Sequence, residues 1–142
     1  MPLFYVDASA LVKVTASEQE ADDLSVYLEG AEIASSELVL TEVPRALRRK
    51  AVTTPGFPLG EALERAAALI DSLGLRPVDD ALLIGAGMLA EPALRSLDAI
   101  HVATALHLYP IDAFVTYDKR QAAVARLAGL RTMAPGIDTS FD

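Results

Sequence analysis

A three-layer α/β/α sandwich around a mainly parallel, five-stranded sheet is predicted by three observations. Strand-like and helix-like segments alternate from one end of the chain to the other, which builds parallel strands joined by crossover helices. The strand-like segments are short apolar runs such as "LFYV" and "AFVT", as strands buried on both faces are. At 142 residues, 52% of them hydrophobic, the chain suits one domain with a sizeable core and argues against disorder.

Taken in order, residues 3–6 (LFYV) form the first strand, and a short helix follows over 9–14. "SEQE" at 17–20 has capping-box spacing, with Ser17 as N-cap and Glu20 at N3, and opens a helix to Leu28 that Gly30 stops. Residues 32–35 (EIAS) are the second strand. A helix over 36–51 then turns Val39, Val43, Ala46 and Leu47 to one face, with Pro44 inside it expected to remove a hydrogen bond and kink it. "TTPGFP" at 53–58 is turn chemistry. Leu59, Leu63, Ala66, Ile70 and Leu73 then hold one stripe of an amphipathic helix, with Glu61 and Arg65 an i,i+4 pair on its outside.

Residues 75–78 are the third strand and 80–89 a helix. After the loop "EPALRS", Ser96 caps a helix over 97–108 with Ala99, Val102, Ala103 and Leu106 inward. Residues 113–116 (AFVT) are the fourth strand, 119–128 a helix ended by Gly129, and 130–133 the fifth strand. One domain over 1–134 is expected, with 135–142 a flexible tail. No repeat or low-complexity tract interrupts the pattern.

Composition narrows function. The absence of cysteine excludes disulfides and thiolate metal sites. The first apolar run is too short for a signal-peptide core, and nothing approaches 18 uncharged apolar residues, so no membrane association and a cytoplasmic location are expected. Twenty acids against twelve Lys and Arg leave a formal charge of −8, which points away from nucleic acid. The total misleads if some acids hold cations: four carboxylates neutralised by two divalent ions would bring −8 to −4. The basic residues are also clustered, in "RALRRK" at 45–50.

Four acids interrupt apolar surroundings: Asp7 in "FYVDAS", Glu42 in "LVLTEVP", Asp98 in "SLDAIHV" and Asp118 in "FVTYDK". Parallel sheets bind ligands beyond the carboxyl ends of their strands, where strand order reverses, and Asp7 stands at such an end. Asp7, Asp98 and Asp118 also lie near helix starts, where capping an orphan N–H accounts for any one of them alone. Glu42 has no such account, because it falls mid-helix beside the apolar face, where a lone carboxylate is costly. Carboxylates that converge repel one another and raise their own pKa values unless cations are present. Oxygen-only sites suit Mg²⁺ and Mn²⁺, so the chemistry inferred is a divalent-metal site acting on a phosphate ester.

"FYVDASALVK", "SELVLTEVPRALRR", "LRSLDAIHVATAL" and "FVTYDKRQAAVARLAGL" together resemble the PIN-domain ribonucleases, and most of all the VapC toxins of bacterial VapBC toxin–antitoxin pairs. The resemblance runs in order from Leu3 to about Met133. It rests on D-x-S after the first strand, E-x-x-R in the next long helix, L-D-A-x-H-x-A-x-A, and T-x-D after the fourth strand. It implies a PIN-like fold with the first and fourth strands adjacent at a switch point. It further implies single-strand endonucleolysis of RNA dependent on Mg²⁺, with Mn²⁺ as a substitute.

By that resemblance Asp7, Asp98 and Asp118 are metal ligands, and Glu42 either ligates directly or acts through a water. Ser9 and Thr116 hold the ligating carboxylates in orientation, a role weighed evenly against local turn or cap bonds. Arg45 and Arg49 contact RNA phosphates, pair with site carboxylates, or belong to a solvated helix face. Lys13, Lys119 and Arg120 are weaker candidates for the same task, and Tyr117 for stacking a base. His101 is read as a packed, hydrogen-bonded imidazole rather than a ligand, and His107 and the glycines at 85 and 87 as without a role. The expected partners are RNA, a cognate VapB-like antitoxin and a second copy of the chain. The competing readings are a PIN-fold binding module without activity and an acidic α/β phosphohydrolase with a non-RNA substrate.

Overall fold

The computed structural model describes residues 1–137. Five strands, β1 (Leu3–Val6), β2 (Glu32–Ser36), β3 (Gly74–Arg76), β4 (Ala113–Val115) and β5 (Thr132–Met133), form one sheet in the order β3-β2-β1-β4-β5. All four pairings are parallel, with Tyr5 opposite both Ala34 and Phe114. The chain moves outward from β1 to β3 and then returns to the other side of β1. The reversal of strand order therefore lies between β1 and β4, as the resemblance implied.

Alternation along the strands divides the core in two. Phe4 and Val6 of β1, with Ala113 and Val115 of β4, face a layer of α1 (Ala8–Thr15), α2 (Ala21–Leu28), α3 (Val39–Thr53) and α4 (Leu59–Asp71). Tyr5 and Phe114 face the opposite layer, made of α5 (Asp80–Gly87), α6 (Ser96–His107) and α7 (Lys119–Leu127). The expected sandwich is thus present, with each helix seated by its apolar stripe: Val39, Val43 and Leu47 of α3 are wholly buried.

Several local expectations are corrected. The capping box at 17–20 does not form: Ser17 takes a left-handed φ of 52°, α2 begins at Ala21, and Glu20 binds Lys13 at 2.8 Å. A tertiary ion pair at the mouth of a cleft has outcompeted a local cap. Residue 36 extends β2 instead of opening a helix; its hydroxyl accepts from the Leu38 N–H, and α3 starts at Val39. That helix runs through Pro44 to Thr53, the Leu40 carbonyl lacking the donor a proline cannot supply. Arg65 donates to the Thr15 carbonyl from Nε and Nη2 rather than pairing with Glu61, so it ties α4 to the end of α1. Ser96 is the first helical residue of α6 and makes no cap bond. β3 and α5 are shorter than expected. Of the tail, Pro135 is buried and accepts the Tyr117 hydroxyl at 2.7 Å; residues 138–142 lie outside the described residues.

Candidate active site

β1 ends at Val6, and the next residue turns its carboxylate into the fold instead of toward water. Asp7 is 2% exposed and is the N-cap of α1. One oxygen, Oδ1, accepts from the Ser9 hydroxyl at 2.6 Å and the Ala10 N–H at 3.1 Å. The other, Oδ2, accepts from the Thr116 hydroxyl at 2.5 Å, across the seam between β1 and β4. Burial pushes its pKa above the ordinary carboxylate value, opposed by the His101 ring and by those donors.

Asp118 stands on the other side of the seam as N-cap of α7, its Oδ1 accepting from the N–H groups of Arg120 and Gln121. Asp98 is the third residue of α6 and makes no cap bond, so the capping account does not cover it. Its backbone carbonyl accepts from the Gln121 side chain at 2.9 Å, which fastens α6 to α7. Arg95 spans the two acids, with Nε 3.3 Å from Asp98 Oδ2 and Nη2 4.0 Å from Asp118 Oδ2. Burial raises the Asp98 pKa; Arg95 lowers it and the neighbouring Asp118 charge raises it further.

Glu42, four residues into α3, reaches the same region from the other layer. Its Oε1 lies 2.7 Å from His101 Nε2, and His101 Nδ1 lies 2.7 Å from the Tyr5 hydroxyl. The ring is 1% exposed, as expected of a packed, hydrogen-bonded imidazole. The structure therefore brings all four acids to the carboxyl end of the sheet, each with a partner of its own. Among the described residues no three His, Asp or Glu side chains stand close enough to hold one ion in this conformation.

A cleft of about 590 Å³ is lined by Glu42 of the four acids, by Ser9 and Leu97 beside two of the others, by Glu18, and by four cations: Lys13, Arg45, Arg49 and Arg95. Ser9 and Thr116 both contact Asp7, and their hydroxyls are 3.3 Å apart. Each also receives a backbone N–H, from Tyr117 and Asp118 respectively, so the orienting and turn-forming roles coexist. Lys13 sits 5.0 Å from the Tyr117 ring centroid. Lys119 and Arg120 are exposed and do not line the cleft; His107 is exposed at the far end of α6. Two participants escaped the sequence reading. Arg95 was visible three residues before Asp98 in "LRSLD". The Tyr5–His101 link spans 96 residues and has no local signature.

The PIN domain family model matches residues 4–127. Ribonuclease VapC47 of Mycobacterium tuberculosis (strain CDC 1551 / Oshkosh) is 36% identical over 140 residues, covering 94% of this chain and 98% of that protein. Two solved structures share the fold. Mycobacterium tuberculosis VapC20, a sarcin–ricin loop cleaving toxin, aligns at TM-score 0.68 and 18% identity over 93% of this chain and 99% of its own. VapBC2 from Rickettsia felis, bound to a DNA fragment from its promoter, aligns at 0.67 and 13% over 92% and 97%. A crevice of acids at the β1–β4 seam, a full-length relative and a matching family model lead to one conclusion: the chain belongs to the PIN-domain family, among its VapC ribonucleases.

Proposed function

We propose that this ribonuclease is the toxin of a type II toxin–antitoxin pair and cuts single-stranded RNA at the cleft between α3 and the β1–β4 seam, with Asp7, Asp98, Asp118 and Glu42 as its working acids. The observation that carries the proposal is the charge balance of that crevice. The Asp118 charge disfavours ionisation of Asp98, and Arg95 stands between the two. Such a site calls for positive charge.

The donors fit a hard divalent cation, since all are carboxylate oxygens. In this conformation the exposed Arg95 sits against two of them, Asp98 and Asp118. Bound Mg²⁺ or Mn²⁺ would polarise the scissile phosphate and make water acidic enough to attack it. The chain's own residues do the rest. Asp7, Asp98 and Asp118 would hold the ion, and Ser9 and Thr116 keep the Asp7 carboxylate in one orientation by donating to both of its oxygens. Glu42 ligates or orients the attacking water from the opposite wall. Arg45, Arg49, Arg95 and Lys13 give the RNA backbone a cationic track despite the chain's net charge. The hydrolysis leaves a 5′-phosphate and a 3′-hydroxyl and does not use the ribose 2′-hydroxyl as nucleophile.

As partner the reading takes a VapB-like antitoxin whose basic segment lies across the acids. It also takes a homodimer, supported by Leu83, Ile84 and Met88 exposed on α5. Sedimentation measures the second, and co-purification with a co-encoded small protein the first. Among the described residues no helix is long and apolar enough to cross a membrane, and we place the protein in the cytoplasm. The deciding experiment is cleavage of single-stranded RNA with Mg²⁺ or Mn²⁺, with and without chelator, by the native protein and by Asp7→Asn. Metal-dependent cutting lost in the variant is expected; equal cutting by both would overturn the assignment.

A further inference from the structure

Glu42, like Asp98, neither caps a helix nor directly follows a strand. It projects from the first turn of α3, not from mid-helix as the sequence suggested, on a flexible side chain that loses rotamer freedom when fixed. What fixes it comes from the opposite layer. Glu42 Oε1 meets His101 Nε2 at 2.7 Å, and Oε2 accepts no hydrogen bond from a described residue while the side chain borders the cleft. An ionised carboxylate only accepts, so Nε2 must carry the proton. In the neutral ring Nδ1 is then an acceptor, and the Tyr5 hydroxyl 2.7 Å away donates to it.

We propose that Tyr5 and His101 are positioning residues that hold Glu42 with one oxygen pinned and the other turned to the cleft. The inference rests on the assignment of Glu42 to the site. The geometry suits the task because nothing in the chain is free to turn. Tyr5 is 0% and His101 1% exposed. The Tyr5 ring stacks on Phe114 at 5.2 Å and meets the His101 ring edge-on at 5.9 Å. The Thr104 hydroxyl, one turn from His101, gives its proton to the Ile100 carbonyl, and its side chain and that of Ser35 also approach the Tyr5 hydroxyl.

The connectivity is informative too. Tyr5 lies two residues before Asp7 on β1, and His101 three residues after Asp98 on α6. The strand and helix that present two acids therefore also orient the third. The wall of the cleft contributed by α3 is registered to the wall contributed by the sheet. A polar network serving only core stability would have no reason to end on a carboxylate at the cleft.

The test uses the full chain as Tyr5→Phe, His101→Gln, His101→Leu and Glu42→Gln, with Tyr5→Phe also made in the Glu42→Gln background. In the metal-free protein, ¹⁵N NMR of the His101 ring should report a neutral imidazole protonated at Nε2, with Nδ1 shifting in Tyr5→Phe. Calorimetric titration with Mn²⁺ should show affinity several-fold weaker in Tyr5→Phe and roughly tenfold or more weaker in a His101→Leu control. His101→Gln, which keeps an N–H within reach of Glu42, should fall between Tyr5→Phe and His101→Leu. For an RNA oligonucleotide kcat should fall with KM unchanged, and the Tyr5→Phe effect should vanish in the Glu42→Gln background. Native kcat and Mn²⁺ affinity in Tyr5→Phe, or an effect undiminished in that background, would overturn the proposal. A native protein that binds Mn²⁺ with Tyr5-sensitive affinity but cuts no RNA would support the positioning role and overturn the nuclease assignment instead.

Discussion

Asp7 shows how one residue is placed for function against stability. Its pKa is raised from an ordinary 3.8 by burial, so the folded chain holds that proton more tightly than the unfolded chain does. Stability linked to that proton is complete below about pH 4 and is lost as pH rises through the folded pKa. Removing the charge by Asp7→Asn should therefore raise the melting temperature of the chelator-treated protein at pH 7 by roughly 3 °C, equivalent to about 1 kcal/mol in a domain of this size. The gain should shrink as melts are repeated toward pH 4, while cleavage falls by more than about a hundredfold at neutral pH, beyond what losing a group behind a ligand usually costs. Arg95 makes the complementary case. Its exposed ion pairs are weak, so Arg95→Ala should tighten Mn²⁺ binding by only about two- to fivefold in calorimetry. RNA affinity should drop in the same variant, because the guanidinium that competes for the acids also lines the cleft. Weakened Mn²⁺ binding would contradict that account.

Among the elements, α3 joins core and site in one helix. Val39, Val43 and Leu47 anchor its buried face, and Glu42, Arg45 and Arg49 line the cleft from its other side. Leu47 is wholly buried, so Leu47→Ala should cost about 3 kcal/mol in urea unfolding, from lost transfer energy and the cavity left behind. Because the helix carries Glu42, kcat should fall as well at temperatures where the variant is still folded. A variant equal to the native protein in urea would mean that α3 is not held by this face. The failed capping box belongs to this scale too. Ser17 and Glu20 have the spacing, but Lys13, pinned between Glu20 and the Tyr117 ring, draws the carboxylate away from the backbone. A local motif worth about 1 kcal/mol yields to such contacts readily.

The whole molecule sets four cations along one cleft of an acidic chain. The charge of −8 would repel RNA at long range, whereas Lys13, Arg45, Arg49 and Arg95 attract it within about 10 Å, a Debye length at ordinary salt. RNA affinity should therefore weaken with salt at a log–log slope of about −3, from four phosphate contacts at roughly 0.7 each for a single strand. Fluorescence anisotropy in chelator measures this, and a flat response would remove the four cations from the substrate path.

The fold class followed from sequence because its causes are local: short apolar runs alternating with one-faced helices leave few other ways to bury a core. Asp7, Glu42, Asp98 and Asp118 were legible singly, as charges set where apolar residues were expected, and the resemblance put them in order. Their partners were not legible. The Thr116 bond to Asp7, the Arg95 bridge and the Tyr5–His101–Glu42 chain join residues from different elements, and no periodicity encodes a contact made by packing. Sequence determined which side chains are the candidates for the chemistry. Tertiary structure decided what each one faces, because only the closing of β4 against β1 and the seating of helices on the two faces of the sheet brings residues up to 109 positions apart within hydrogen-bonding distance.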